Sequence, residues 1–158
     1  MKYKQYVDYA MHRGKEYELS SDPNTGDYML LSSDPETQCE GFVPRGWLPG
    51  EYKKVVKTEE VESVYRYTLY ALYRGLQFEV ENIKDGIAFL IHNGLEGSNE
   101  AVAIGFKFAD RWYFEKHVPM EDIEELRLKA KPNKGFVLPT AVTVEQIVQF
   151  ERWPDEER

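Results

Sequence analysis

The chain has a single cysteine, Cys39, among its 158 residues, so no internal disulfide and no multi-cysteine zinc site can be built. Basic residues are the scarcer charge, 20 against 28 acidic, for a net charge of −8. A nucleic-acid binder needs clustered Lys and Arg to displace phosphate counterions, so nucleic acid is not the expected partner. No apolar run approaches the ~20 residues of a membrane span, and Met1-Lys2-Tyr3-Lys4-Gln5 carries no apolar signal region. The expectation is a cytoplasmic protein that does not contact membranes. Histidine is limited to His12, His92 and His117, no two of them at metal-ligand spacing. HExxH, GxGxxG, Walker and GxSxG patterns are all missing, so the sequence predicts no metal, no cofactor and no catalytic residue. Cys39 has Glu36, Gln38 and Glu40 for neighbours, and acidic neighbours disfavour the thiolate a nucleophile needs.

Aromatic residues are plentiful at 14%, with 11 Tyr, 8 Phe and 3 Trp, and they favour pleated, half-buried strands. Hydrophobic residues at 42% and charged residues at 30% give an ordinary globular balance. A chain of this length can bury roughly 70% of its unfolded surface without a metal or disulfide staple.

The sequence also repeats itself. Tyr6, Tyr9, Ala10, Arg13 and Gly14 recur as Tyr67, Tyr70, Ala71, Arg74 and Gly75 at an offset of 61, and Tyr17-Glu18-Leu19 answers Phe78-Glu79-Val80. Gly26 and Leu30 match Gly86 and Leu90 at 60, and Gly41-Phe42 matches Gly105-Phe106 at 64. Lys54, Val56, Glu59 and Glu62 match Lys116, Val118, Glu121 and Glu124 at 62. The offset changes only at turn-rich segments, as diverged copies of one unit require.

Arg-Gly between two aromatic runs suits a tight hairpin, because Gly supplies the positive φ. The expected strands of the second copy therefore fall near 67–73, 76–81, 87–92, 101–108 and 112–118. A short helix is predicted near 58–65, although Val61, Val64, Tyr65, Thr68, Leu69, Leu72 and Tyr73 also fit one long helix over 58–74. A second helix is predicted over 120–130, opened by Pro119 with Glu121 and Asp122 in its first turn. Lys131–Gly135 reads as a linker. Thr143 and Gln146 form a capping box for a last helix with Val144, Ile147, Val148 and Phe150. The expected class is α+β: two tandem, diverged, mostly antiparallel repeats, each followed by a short helix, plus a C-terminal helix. The expected domains are 1–66, 67–131 and 132–158.

Candidate binding residues follow from two features. Trp47 and Trp112 each stand just before a Lys-x-Val strand, where a Trp serves either as a core plug or as an interface anchor. Glu59, Glu60, Glu121, Asp122, Glu124 and Glu125 form acidic runs, read either as solvated faces or as a recognition surface for Lys and Arg. The hairpins His12-Arg13-Gly14 and Tyr73-Arg74-Gly75, with the close Lys116-His117-Val118-Pro119-Met120-Glu121-Asp122-Ile123, resemble in style the immunity proteins of bacterial polymorphic toxin systems. That resemblance implies a small, acidic, cytoplasmic α+β protein that neutralises a cognate toxin domain by binding it, without catalysis. It carries no site residue over to this chain. The expected function is thus stoichiometric binding of a basic protein such as a toxin domain, by a monomer or small homo-oligomer. The competing expectations are a small-molecule cleft between the repeats, or an enzyme using Asp or Glu with His92 or His117.

Overall fold

The computed structural model describes residues 6–148. The described chain divides into two units: an N-terminal one of Tyr6–Arg66 with Ala130–Val142, and a C-terminal one of Tyr67–Lys129 with the segment from Thr143. Strand covers 52% and helix of every kind 13%, so the protein is an antiparallel β-sheet protein and not the expected α+β fold.

The N-terminal unit runs β1 (Asp8–His12), β2 (Lys15–Ser21), β3 (Tyr28–Ser32), a 3-10 helix (Pro35–Glu40), β4 (Val43–Pro44), β5 (Tyr52–Val56), a 3-10 turn (Thr58–Glu60) and the first residues of β6 (Ser63–Tyr73). Its strand order is β4-β5-β3-β2-β1-β6. The C-terminal unit takes the rest of β6, then β7 (Leu76–Lys84), β8 (Ile87–Asn93), helix α1 (Ser98–Ala103), β9 (Lys107–Asp110), β10 (Tyr113–Pro119), a 3-10 turn (Met120–Asp122), β11 (Glu125–Pro132) and β12 (Glu145–Val148). Its order is β6-β7-β8-β10-β9, with β11 on the other edge of β6 and β12 on β11.

Residues related by the sequence repeat do the same work in each unit. Ala10, Tyr17, Leu19, Leu30, Phe42, Val56, Val61 and Val64 form the core of the first. Their counterparts Ala71, Phe78, Val80, Leu90, Phe106, Val118, Ile123 and Leu126 are all buried in the second. Tyr17 lies 5.0 Å from Phe42, and Phe78 stacks on Phe106 at 4.2 Å. Each hairpin Gly donates its N–H to a glutamate, Gly14 to Glu62 and Gly75 to Glu124, both at 3.1 Å. Each repeat lysine closes a helix end: Lys54 donates to the Glu40 carbonyl at 3.0 Å and Lys116 to the Ile104 carbonyl at 2.7 Å. A cation there satisfies an orphan carbonyl and opposes the negative end of the helix.

The repeats differ beside those lysines. Lys54 donates to Nε2 of His12 at 3.4 Å, while His12 Nδ1–H donates to the Glu60 carbonyl at 2.7 Å, which fixes the tautomer. In the second unit Tyr73 takes the place of His12, and Lys116 sits over its ring at 5.4 Å.

Three expected helices are corrected. Residues 58–65 form only the Thr58–Glu60 turn before β6 begins. In β6 the odd positions Tyr65, Tyr67, Leu69, Ala71 and Tyr73 are buried, while Thr68, Tyr70 and Leu72 are half-buried. Apolar residues on both faces of a strand imitate helical spacing, which also disposes of the long-helix alternative. Residues 120–130 form the Met120–Asp122 turn and then β11, where Leu126, Leu128 and Ala130 point inward between Arg127 and Lys129. The period there is two, and Lys131 and Pro132 complete the strand instead of opening a linker. The C-terminal helix is replaced, over its described part, by β12, whose Glu145 accepts from Arg127 at 2.9 Å. Phe150 lies outside the described residues. The strand expected at 101–108 is α1 followed by β9.

Candidate functional site

One part of the exposed apolar surface of the C-terminal unit lies at the end of its sheet where Phe108 and Trp112 stand. There β8 runs into a loop, Gly94–Gly97, whose two glycines have φ of 101° and 78°. Gly94 donates its N–H to the Trp112 carbonyl at 2.8 Å, which joins this loop to the β9–β10 hairpin. The hairpin turns through Arg111 and Trp112, and Arg111 N–H is held by Asp110 at 2.8 Å.

Trp112 has φ of 59°, a left-handed conformation that costs a side-chain-bearing residue about 1–2 kcal/mol. The other tight hairpins give that region to Arg13-Gly14, Arg74-Gly75 and Asp85-Gly86, with glycine at the second place. Here a tryptophan stands where glycine would be cheapest, and its side chain remains 53% exposed. A bulky residue held in strain without burial points to a use outside the fold.

Also exposed in this unit are Phe108 on β9, at 61%, Leu95 on the loop, at 65%, and Val102 on α1, at 51%. Phe108 meets Phe114 edge-on at 5.6 Å, and Phe114 lies 6.0 Å from His92. His92 continues inward to Phe78 at 6.3 Å. Its Nε2 is buried and unpartnered. A Cβ on Gly97 would lie 3.2 Å from His92 Cε1, so glycine is what lets the loop close over the ring. The aromatic surface therefore continues into the core through Phe114 and His92.

Of the residues expected to bind a partner, Trp112 alone belongs to the β9–β10 hairpin. Trp47 is 81% exposed in the β4–β5 loop of the other unit, so neither tryptophan is a core plug. Glu59 and Glu60 are exposed in the turn after β5, and Glu121 and Asp122 in the turn after β10. Trp112 precedes β10 and Glu121 follows it, so the seven-residue strand holds them about 20 Å apart. Trp112 and the Glu121-Asp122 turn thus do not converge.

Three of the acids are engaged within the fold. Glu60 accepts from the Lys57 backbone N–H at 2.9 Å, Glu124 secures the Gly75 hairpin, and Glu125 pairs with Arg127. Glu59, Glu121 and Asp122 face solvent from their turns. Sequence reasoning missed Phe108, Leu95 and Val102. The signal available for Phe108 was its match to Pro44 at the same offset of 64 that relates Phe42 to Phe106.

Tyrosines report the local fields. The Tyr113 phenol is pushed up by burial and then by the negative charge of Glu81, Glu115 and Glu79. Burial acts upward on Tyr73 too, but hydrogen bonds from Lys116 and Arg74 outweigh it and leave this phenol below its usual range. Among the described residues no group of three or more His, Cys, Asp or Glu is placed to hold a metal ion, and no helix is long and apolar enough to cross a membrane.

The fold and this surface define an antiparallel β protein with an aromatic cluster at one sheet end. Residues 3–134 match the family described as Uncharacterised conserved protein UCP033725, and the chain belongs to that family. No curated protein and no solved structure matches it.

Proposed function

We propose that this protein acts by stoichiometric binding of a basic partner protein and performs no catalysis, in the manner of a cytoplasmic immunity protein that neutralises a toxin domain. The observation that carries the proposal is the exposure of Trp112 and Phe108 on the β9–β10 hairpin, with Trp112 held in a left-handed backbone. Exposed Trp and Phe side chains of this kind supply the desolvated centre of an interface, where a few aromatic anchors carry most of the energy. The net charge of −8 supplies attraction for a basic partner and speeds its encounter.

The test is capture from host lysate at low and moderate salt, comparing wild type with Trp112→Ala and with Phe108→Ser. The expected result is one basic protein at a fixed stoichiometry, weakened by salt and lost from both variants. An acidic partner, or capture that survives both substitutions unchanged, would refute the proposal.

A further inference from the structure

Where each repeat leaves its third strand, one position is treated differently. In the N-terminal unit Ser32 ends β3, and its hydroxyl accepts the Asp34 N–H at 3.0 Å, which ties the departing chain to it. The counterpart at an offset of 60 is His92 on β8, whose Nε2 is buried without a hydrogen-bond partner. The fold therefore does not require an unsatisfied atom here, since the sister repeat satisfies its own. The His92 ring lies 6.3 Å from Phe78 and 6.0 Å from Phe114. Gly97 closes over it, where a Cβ would stand 3.2 Å from Cε1 and 3.7 Å from Nε2. Charged groups on the surrounding elements do not satisfy that nitrogen. β8 carries none. On β7, Glu79 alternates to the face opposite Phe78, and Glu81 accepts from the Tyr113 hydroxyl at 3.4 Å. On β10, Glu115 alternates away from Phe114, and Lys116 donates to the Ile104 carbonyl at 2.7 Å. Glu96 of the loop, Glu100 of α1, and Lys107, Asp110 and Arg111 of the β9–β10 hairpin are exposed.

We propose that His92 is an acid-sensitive latch: a proton taken up at Nε2 opens the Gly94–Gly97 loop and, with it, the turn that presents Trp112. This rests on the binding function proposed above and names its regulation. In the neutral ring with its proton on Nδ1, Nε2 is a bare lone pair. Protonation makes it a charged N–H among Phe78, Phe114 and the loop with no acceptor, and a buried unpaired charge costs far more than a buried unpaired lone pair. Lifting Gly97 off the ring gives that N–H to water. The motion reaches Trp112 through one bond, because Gly94 donates its N–H to the Trp112 carbonyl at 2.8 Å. Without that bond Trp112 is free to leave its left-handed conformation, at φ of 59°, and the indole loses its fixed place. Binding is therefore strongest with His92 neutral and weakens as pH falls through the range in which histidine takes up charge.

The test follows the isotope-labelled full chain by NMR from about pH 7.5 to about pH 5, the range in which histidine changes charge. The Cε1–H signal of His92, read apart from those of His12 and His117, gives its midpoint. The amides of Gly94, Gly97 and Trp112 should shift with that same midpoint. Hydrogen exchange at Gly94, corrected for intrinsic rate, should be roughly tenfold faster at the acid end, as the loop opens. His92→Phe keeps the aromatic contacts and His92→Gln keeps a polar side chain, and neither titrates, so corrected exchange at Gly94 should stay level in both. Level exchange in the wild type, a midpoint that follows His117 instead of His92, or equal acceleration in both variants would overturn the proposal. Capture separates the latch from the binding function. A basic protein held near neutral pH should be released from wild type at the acid end and retained by His92→Phe. Equal release from His92→Phe defeats the latch and leaves the binding function standing. Where no basic protein is captured at either pH, the binding function and its regulation fail together, whatever the loop does.

Discussion

Tyr17 is 8% exposed and donates its hydroxyl to Glu40 at 2.9 Å, with Lys15 paired to the same carboxylate. Burial first, and then the Glu40 bond and charge, push its phenol up to about 12. The raised value means the native state keeps a proton that the unfolded chain releases near its ordinary value of about 10. This contribution is therefore whole below about pH 10 and is lost as pH rises through 12, on the order of 2 kcal/mol in all. Denaturant titrations at pH 9, 10, 11 and 12 should show stability nearly level up to pH 10 and falling beyond it, and Tyr17→Phe should flatten the fall. A fall of equal slope in the variant would assign it to other groups. Trp112 permits a second comparison at one position. Trp112→Gly and Trp112→Ala both remove the indole, but only glycine relaxes the left-handed backbone. The glycine variant should be more stable than the alanine variant by about 1 kcal/mol, while both lose the partner. Equal stability would show that the strain is not present in solution.

At the scale of elements, the hairpins were legible and the helices were not. Arg13-Gly14 and Arg74-Gly75 carry their turn chemistry in two adjacent residues, which local sequence displays fully. The helices over 58–65 and 120–130 were misread because β6 and β11 follow 3-10 turns whose acidic residues look like a helix start. Leu126-Arg127-Leu128-Lys129-Ala130 alternates strictly, and that period outweighs the Pro119 signal once β6 supplies a strand to pair with. Of the site, Trp112 was legible as one aromatic residue before a strand. Phe108, Leu95 and Val102 are exposed through the course of the β8–α1 loop, helix α1 and the β9–β10 hairpin, which spacing along the chain does not show. The element scale also gives Glu62 and Glu124 a definite task, tying each Arg-Gly hairpin to the strand that returns beside it. Glu62→Ala and Glu124→Ala should each cost about 1 kcal/mol, the worth of one charge-assisted hydrogen bond at an exposed turn. The costs should add in the double variant, since each bond lies within its own unit. A coupling beyond about 0.5 kcal/mol in that cycle would contradict their independence.

For the whole molecule the governing quantity is the net charge of −8, which acts on encounter more than on affinity. Charge reversal can test this only at acids that the fold does not use. Glu124 holds a hairpin and Glu125 pairs with Arg127, so changing either would confuse folding with association. Glu121 and Asp122 are exposed in a turn about one strand length from Trp112. Reversing both to lysine changes the net charge from −8 to −4 and leaves the aromatic cluster untouched. The association rate with a basic partner should then fall several-fold at low salt and converge on wild type at about 1 M salt, where screening reaches only ~3 Å. The dissociation rate should stay near wild type, because the acidic turn stands at the opposite end of β10 from Trp112. Stopped-flow association across a salt series separates the two rates. A slower association that persists at high salt would place Glu121 and Asp122 inside the interface, and an unchanged rate at low salt would remove electrostatic steering from the binding.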